Sequence, residues 1–257
     1  MAKWTAFPHL GEYSFSAATV RKNWSRLHAG DAEPLPDEPA VVEAWALFHN
    51  GEFQKAAEAG LKAGGAGLTV ANKATCIHAN YLEKKEKVKL DLLMEVAQRA
   101  ESQATADPKN PNAWYWQAYA LGRYSQGISV AKALAQGLGS KVKEALEKTI
   151  KLQPRHADAY IALAAFHAEV IDKVGSLIGG MTYGAKKDTG LKLFQEAIKL
   201  NPGSAIALVE YANGLVMLEG DKKMKEATKL YQQAAATKPF DAMERLDVEL
   251  ARAELED

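Results

Sequence analysis

Proline ends helices, and in this chain three prolines end three copies of one pattern. Leu152-Gln153-Pro154, Leu200-Asn201-Pro202 and Thr237-Lys238-Pro239 each close a stretch in which the positions 4, 5, 8 and 12 residues upstream mix small and bulky side chains. From Pro239 these are Ala235, Ala234, Tyr231 and Ala227; from Pro202, Ile198, Ala197, Phe194 and Gly190; from Pro154, Ile150, Thr149, Leu146 and Val142. Small residues around a bulky one let two helices approach about a plug. Proline lacks the backbone N–H a helix needs and so stops the second helix. A chain of this kind folds as an array of helix-turn-helix units, each burying its apolar face against the next, which points to one continuous array.

The first helix of each unit carries a complementary stripe: Trp114, Ala118 and Leu121; then Tyr160, Leu163, Ala164 and His167; then Leu208, Tyr211, Ala212 and Leu215. With these residues the chain resembles a tetratricopeptide repeat (TPR) protein, whose unit runs Trp, Leu, Gly, Tyr on helix A and Ala, Tyr or Phe, Ala, Pro on helix B. Gln117 stands where that pattern has leucine, and no helix A carries its glycine. Pro154 to Pro202 is 48 residues and Pro202 to Pro239 is 37, both longer than the usual repeat, with the surplus between helices A and B at 123–141 and 170–188. The resemblance implies an all-α fold, an α-solenoid of TPR-like repeats with long intra-repeat insertions.

Two weaker units precede these. Ala44, Gly51, Phe53, Ala56, Gly60 and Ala63 read as helix A, turn and helix B of a first, and 71–82 with 88–104 as the helices of a second. The repeats then occupy about 41–68, 69–108, 110–154, 156–202 and 204–239. Residues 1–40 read as a cap laid on the first repeat, its helix begun by Ser16, stapled by Phe15 and Val20, continued through Trp24 and Leu27 and closed by Gly30. The Pro-rich run 33–39 is a spacer. Residues 240–257 read as a C-terminal capping helix, with Asp241 and Glu244 starting it and Met243, Leu246, Leu250 and Ala253 as its apolar stripe.

The run Trp114-Tyr115, then Gly127-Ile128, then Lys143-Glu144-Ala145-Leu146-Glu147-Lys148-Thr149-Ile150-Lys151-Leu152-Gln153-Pro154 is similar to the regulator-of-microtubule-dynamics family of TPR proteins. Those proteins also carry a long insertion in this repeat and the next and a helix after the last. The resemblance covers residues 110–257 and departs where the family places tryptophans after helix A and this chain has Glu169, Val170 and Ile171. Neither the microtubule nor the membrane association of animal members is carried across by any residue here.

Thirty-two basic residues against thirty-two acidic leave no net field to gather nucleic acid. The lysine runs at 84–87 and 222–226 alternate with acids and read as solvated helix ends. The start leads into no apolar stretch, and the longest apolar run, 161–166, is far too short to span a bilayer, so no membrane contact and a cytoplasmic location are expected. The single cysteine, Cys76, reads as a buried reduced thiol.

Motifs that carry chemistry are approached but not completed. Gly175-Ser176-Leu177-Ile178-Gly179-Gly180-Met181-Thr182 matches a phosphate loop except that Met181 replaces the lysine and a helix, not a strand, precedes it; it reads as a flexible inter-helix turn. Gly137-Leu138-Gly139-Ser140-Lys141 reads as the turn that starts a helix B. The six histidines include no i, i+4 pair on one helix, and His167 reads as an interior hydrogen-bonded residue. No nucleophile elbow occurs. No cofactor, no metal and no enzyme activity are expected.

What remains is the wall built by helix A residues that do not pack inward: Asn112, Tyr115, Tyr119 and Arg123 with Trp116 beside them, then Ile161 and Glu169, then Val209, Glu210 and Asn213. An aromatic and aliphatic wall with sparse polar points suits a peptide or protein segment. The expectation is a cytoplasmic, non-catalytic scaffold that binds such a segment in its groove. The alternative is a carrier or sensor of a small apolar ligand, with the insertions roofing the groove over Tyr115, Tyr119 and Trp116.

Overall fold

Several helix starts in this chain are fixed by local side-chain hydrogen bonds. Asn110 accepts from the N–H groups of Asn112 and Ala113 ahead of Pro111, Ser204 accepts from Ala207, and the Nδ1 of His156 accepts from Ala159. Ser16 and Thr19 form a reciprocal capping box. The computed structural model describes residues 3–256, and among them there is no strand. In order the main helices are α1 (Ala17–Lys22), α2 (Trp24–Leu27), α3 (Pro39–His49), α4 (Phe53–Ala63), α5 (Gly67–Ile77), α6 (Glu86–Ala106) and α7 (Pro111–Gln126). They continue as α8 (Val130–Ala135), α9 (Leu138–Leu152), α10 (Ala157–Tyr183), α11 (Lys187–Leu200), α12 (Ala205–Glu219), α13 (Met224–Ala235) and α14 (Ala242–Ala253). A π-helical turn, His78–Leu82, extends α5.

The chain groups into two compact units: residues up to His28 with Glu33–Leu152 and Asp241–Met243, and Ala29–Ala32 with Gln153–Phe240 and the residues from Glu244. In the first unit each helix from α3 to α7 packs on the next, and α9 packs on α7. The seam between α5 and α6 is partly polar: Arg99 Nε donates to Asn72 Oδ1 at 2.6 Å, Asn72 Nδ2 to Gln103 Oε1 at 3.1 Å, and Gln103 Nε2 to Thr69 Oγ1 at 3.2 Å. In the second unit α10 packs on α11 and α12, and α12 on α13. Ile161, Ala164, Phe194, Ala197 and Ala207 form one cluster there, and Ala205, Val209, Ala234, Val248 and Ala251 another.

The small-large-small positions read from the prolines are the packed ones. Leu146, Phe194, Ala197, Ala227 and Ala234 are buried, and a Cβ added at Gly214 of α12 would run into the Phe194 ring. Other expectations shift. The N-terminal helix is two short ones broken at Asn23. The lid stripe is turned: Val248 and Ala251 are fully buried while Ala253 is exposed, and Glu244 reaches back to accept the backbone N–H of Phe240. In the third repeat Trp116 is buried, whereas Trp114 is half-exposed with its indole N–H on the carbonyl of Pro108. Residues flanking Trp116 are buried too, because helices α5, α6 and α9 all press on α7 and leave it a wide inward face.

The second insertion is helical rather than a flexible turn. The reversal sits at Gly175 alone, at φ 80° and ψ 158°, a conformation that side chains beyond glycine rarely adopt. Beyond it residues 176–183 resume helix and bring Gly179 back against Val170, ending at Gly184 in a left-handed cap. The phosphate-loop likeness therefore lies on helical backbone.

Trp116→Ala is expected to leave a cavity and cost about 3–5 kcal/mol, with Trp114→Ala costing distinctly less. Urea denaturation of both variants checks this, and the reverse order would contradict the packing of α7.

Candidate helix A face

The helix A residues of the two units are described separately. In the first unit, Asn112 is wholly buried: its Nδ2 donates to Glu33 Oε2 at 2.6 Å, so the N-terminal spacer covers the start of α7. Tyr115 and Trp116 are buried and meet edge-on, with ring centroids 4.9 Å apart. These three are therefore not on an open wall. Tyr119 and Arg123 remain half-exposed, with the guanidinium 5.4 Å over the Tyr119 ring and Nη1 of Arg123 donating to Gln126 Oε1.

In the second unit Ile161 packs inward against Phe194 and Ala207, and Val209 against Ala234 and Val248. Both leave the wall because helix A of one repeat is flanked by its own helix B and by the next element, so apolar residues one position off the main stripe are still covered. Glu169, Glu210 and Asn213 stay half-exposed. Glu169 pairs with Lys173 at 3.8 Å, and Asn213 Oδ1 accepts from the Tyr231 hydroxyl of α13. His167 is buried, its Nδ1 accepting from the N–H of Lys186, which makes it an interior hydrogen-bonded histidine.

Residues outside the expected wall bring the N-terminal segment onto the first repeat. Asn50, which caps the C-terminus of α3, donates from Nδ2 to the Phe15 carbonyl at 2.9 Å and accepts the Phe15 N–H at 2.6 Å. Trp24 and His28 stack on each other and both set their rings against Trp45 of α3. The Trp24 indole N–H donates to the Glu33 carbonyl at 2.8 Å. Lys73 of α5 is buried with its ammonium over Trp45 and Phe48, and His49 Nδ1 bonds Asp241 Oδ2 at 2.6 Å. In the sequence Asn50 only adjoins the turn at Gly51. Nothing local marks it as a clamp, because its partner lies 35 positions away.

Burial pushes the Cys76 thiol well above its ordinary range, only partly offset by Arg99 and Arg123. Burial likewise lowers the His78 imidazole, against a weaker opposite pull from Glu83. Among the described residues no group of three or more His, Cys, Asp or Glu could hold a metal ion, and no helix is long and apolar enough to cross a membrane.

The sequence model of the regulator of microtubule dynamics protein 1-3 matches residues 67–256. The chain belongs to this family. The match begins at Gly67, so the family's pattern takes in the second repeat, earlier than the residues of the third that first suggest it. No curated protein sequence matches the chain. Among solved structures, a thermophilic TPR protein of Thermus thermophilus superposes with a TM-score of 0.58 at 14% identity, over 83% of this chain and 97% of that one. At that identity the likeness shows the fold, an all-helical TPR-like solenoid, and this family member shares it.

Two outcomes follow from the buried groups. Cys76 should resist a thiol reagent at pH 8 in the folded protein and react promptly in urea; rapid labelling without denaturant would contradict its burial. Tyr231 is pushed up to about 12, chiefly by burial and then by Glu254 and Glu210. Its raised value favours the neutral phenol, so this contribution to stability is complete below pH 10 and is lost as the pH rises through about 12. Subtracting the phenolate absorbance titration of Tyr231→Phe from that of the parent should reveal one tyrosine ionising near 12, and a difference centred at 10 would refute it.

Proposed function

We propose that the protein is a non-catalytic interaction scaffold that holds an extended segment of a partner protein against its helix A residues. The observation that carries this reading is the way the first repeat already holds polypeptide. One side-chain amide, Asn50, pairs with both the N–H and the C=O of Phe15, which is how a TPR surface can grip a peptide backbone without reading its sequence. A cytoplasmic location fits the same reading.

Taken unit by unit, half-exposed residues remain for contact on helix A: Tyr119 and Arg123 of α7 in the first, and separately Glu169 of α10 with Glu210 and Asn213 of α12 in the second. The carrier alternative draws little support from Tyr115 and Trp116, which are buried against each other. The scaffold role asks for no group with shifted acid-base chemistry. The titratable residues with raised or lowered values are accounted for by burial or by lysine–glutamate pairing at the surface.

Tyr119→Ala and Arg123→Ala, each expected to leave the melting temperature almost unchanged, should deplete the same proteins captured by the immobilised parent from native extract, as quantified by mass spectrometry. A half-buried aromatic anchor carries a disproportionate share of binding energy. If both variants fold and keep every partner, the helix A face is not the binding surface.

A further inference from the structure

Residues 4–15 dock in the manner of a bound peptide. The stretch contains no helix and turns once, near residues 8–11. It is held by spaced aromatic side chains. The Trp4 indole lies flat on the His78 imidazole, centroids 4.3 Å apart and planes 11° apart. Phe7, 2% exposed, meets Phe53 edge-on at 6.0 Å and covers Gly51 so closely that a Cβ there would strike its ring. Phe15 tilts against His49 at 5.8 Å. Between these anchors the chain faces solvent: Thr5, Ala6, Pro8, Leu10, Gly11, Glu12 and Ser14 are exposed.

Backbone contacts complete the likeness. The Trp4 N–H donates to Gln54 Oε1 at 2.9 Å, and Asn50 takes both polar groups of Phe15. A few aromatic anchors, side-chain amides on the backbone and an exposed remainder are the features of peptide recognition, where a handful of residues carries most of the affinity. His78 supplies an independent observation. Buried beneath Trp4 at the π-helical turn, it has no hydrogen-bond partner on either ring nitrogen among the described residues, and a carboxylate oxygen of Glu83 stands 3.8 Å from Nε2. Leaving a buried imidazole unbonded is a penalty that lifting Trp4 would relieve by admitting water. That cost offsets part of what the stacking and the other anchors contribute, as suits a reversible occupant.

We propose that the rim built by Asn50, Phe53, Gln54 and His78 is a peptide-binding site filled in cis by residues 4–15, and that its partner is an extended segment of another protein bearing two aromatic anchors spaced as Trp4 and Phe7 are. The partner enters when the strap lifts. This rests on the scaffold reading and deepens it by naming a site and a ligand chemistry. A cis occupant lowers the apparent affinity for a partner in proportion to the fraction of time the site stands open.

The probe is a fluorescein-labelled peptide of residues 3–16, read by anisotropy against the full-length chain. The parent should bind it weakly, W4A/F7A about tenfold or more tightly, and W4A/F7A/N50A weakly again; a scrambled peptide should not bind. If W4A/F7A is folded by circular dichroism and binds no better than the parent, the proposal fails. Should W4A/F7A not fold, hydrogen exchange of the parent decides: Trp4 and Phe15 amides exchanging well ahead of the α5 and α6 core support a lifting strap, and core-level protection overturns it. Isotope-mixed cross-linking that finds the strap of one copy on another would overturn the partner assignment in favour of a second copy. Loss of the peptide effect while Tyr119→Ala still loses partners would sink the strap proposal alone and leave the scaffold reading standing.

Discussion

Close approach of neighbouring helices is the constraint on which the rest depends. Two helices can share a repeat only where one offers a small residue to the bulk of the other, and here the pairs can be named. Gly214 of α12 accepts the ring of Phe194 from α11, and Gly190 of α11 lies against Ala164 and His167 of α10. Glycine in a helix interior costs about 1 kcal/mol relative to alanine, so its use at these crossings makes sense only if contact distance matters more than helix propensity. Once the crossings are set, the alanines around them, such as Ala197, Ala212 and Ala234, are buried as a matter of course.

That constraint is also why much of the fold could be read from the chain. Offsets counted back from Pro154, Pro202 and Pro239 select residues by size, and size is what the crossings test. The second repeat is fainter because Asn72, Arg99, Gln103 and Thr69 interrupt the apolar stripes of its two helices with a polar strip in their seam. The second insertion misled for a different reason. Glycines at 175, 179, 180 and 184 look like a loop, yet Gly175 and Gly184 have positive φ while Gly179 is small because Val170 lies against it.

The helix A face was less legible than the fold. Periodicity assigns a helix one inner and one outer side, but α7 is pressed by α5, α6 and α9, so Tyr115 and Trp116 are as buried as Ala118. Asn112 shares the helical phase of Tyr115 and Tyr119 but is inaccessible, since Glu33, 79 positions earlier, sits on it. Contacts between such distant segments leave no periodic trace. Tyr119 and Arg123, at the far end of the same helix, kept the exposure that the pattern assigns them.

The bond between His49 and Asp241 spans 192 positions and lies inside one compact unit. A chain made from its N-terminus therefore builds α3 early and waits for nearly all the remaining residues before this imidazole can find its carboxylate. Chain-closure entropy grows only with the logarithm of loop length, so the finished bond is not greatly weakened by the distance. Time is what the distance governs: Trp45 and Phe48 find their partners among the first 73 residues, but the buried imidazole of His49 beside them waits for its carboxylate until the end of synthesis.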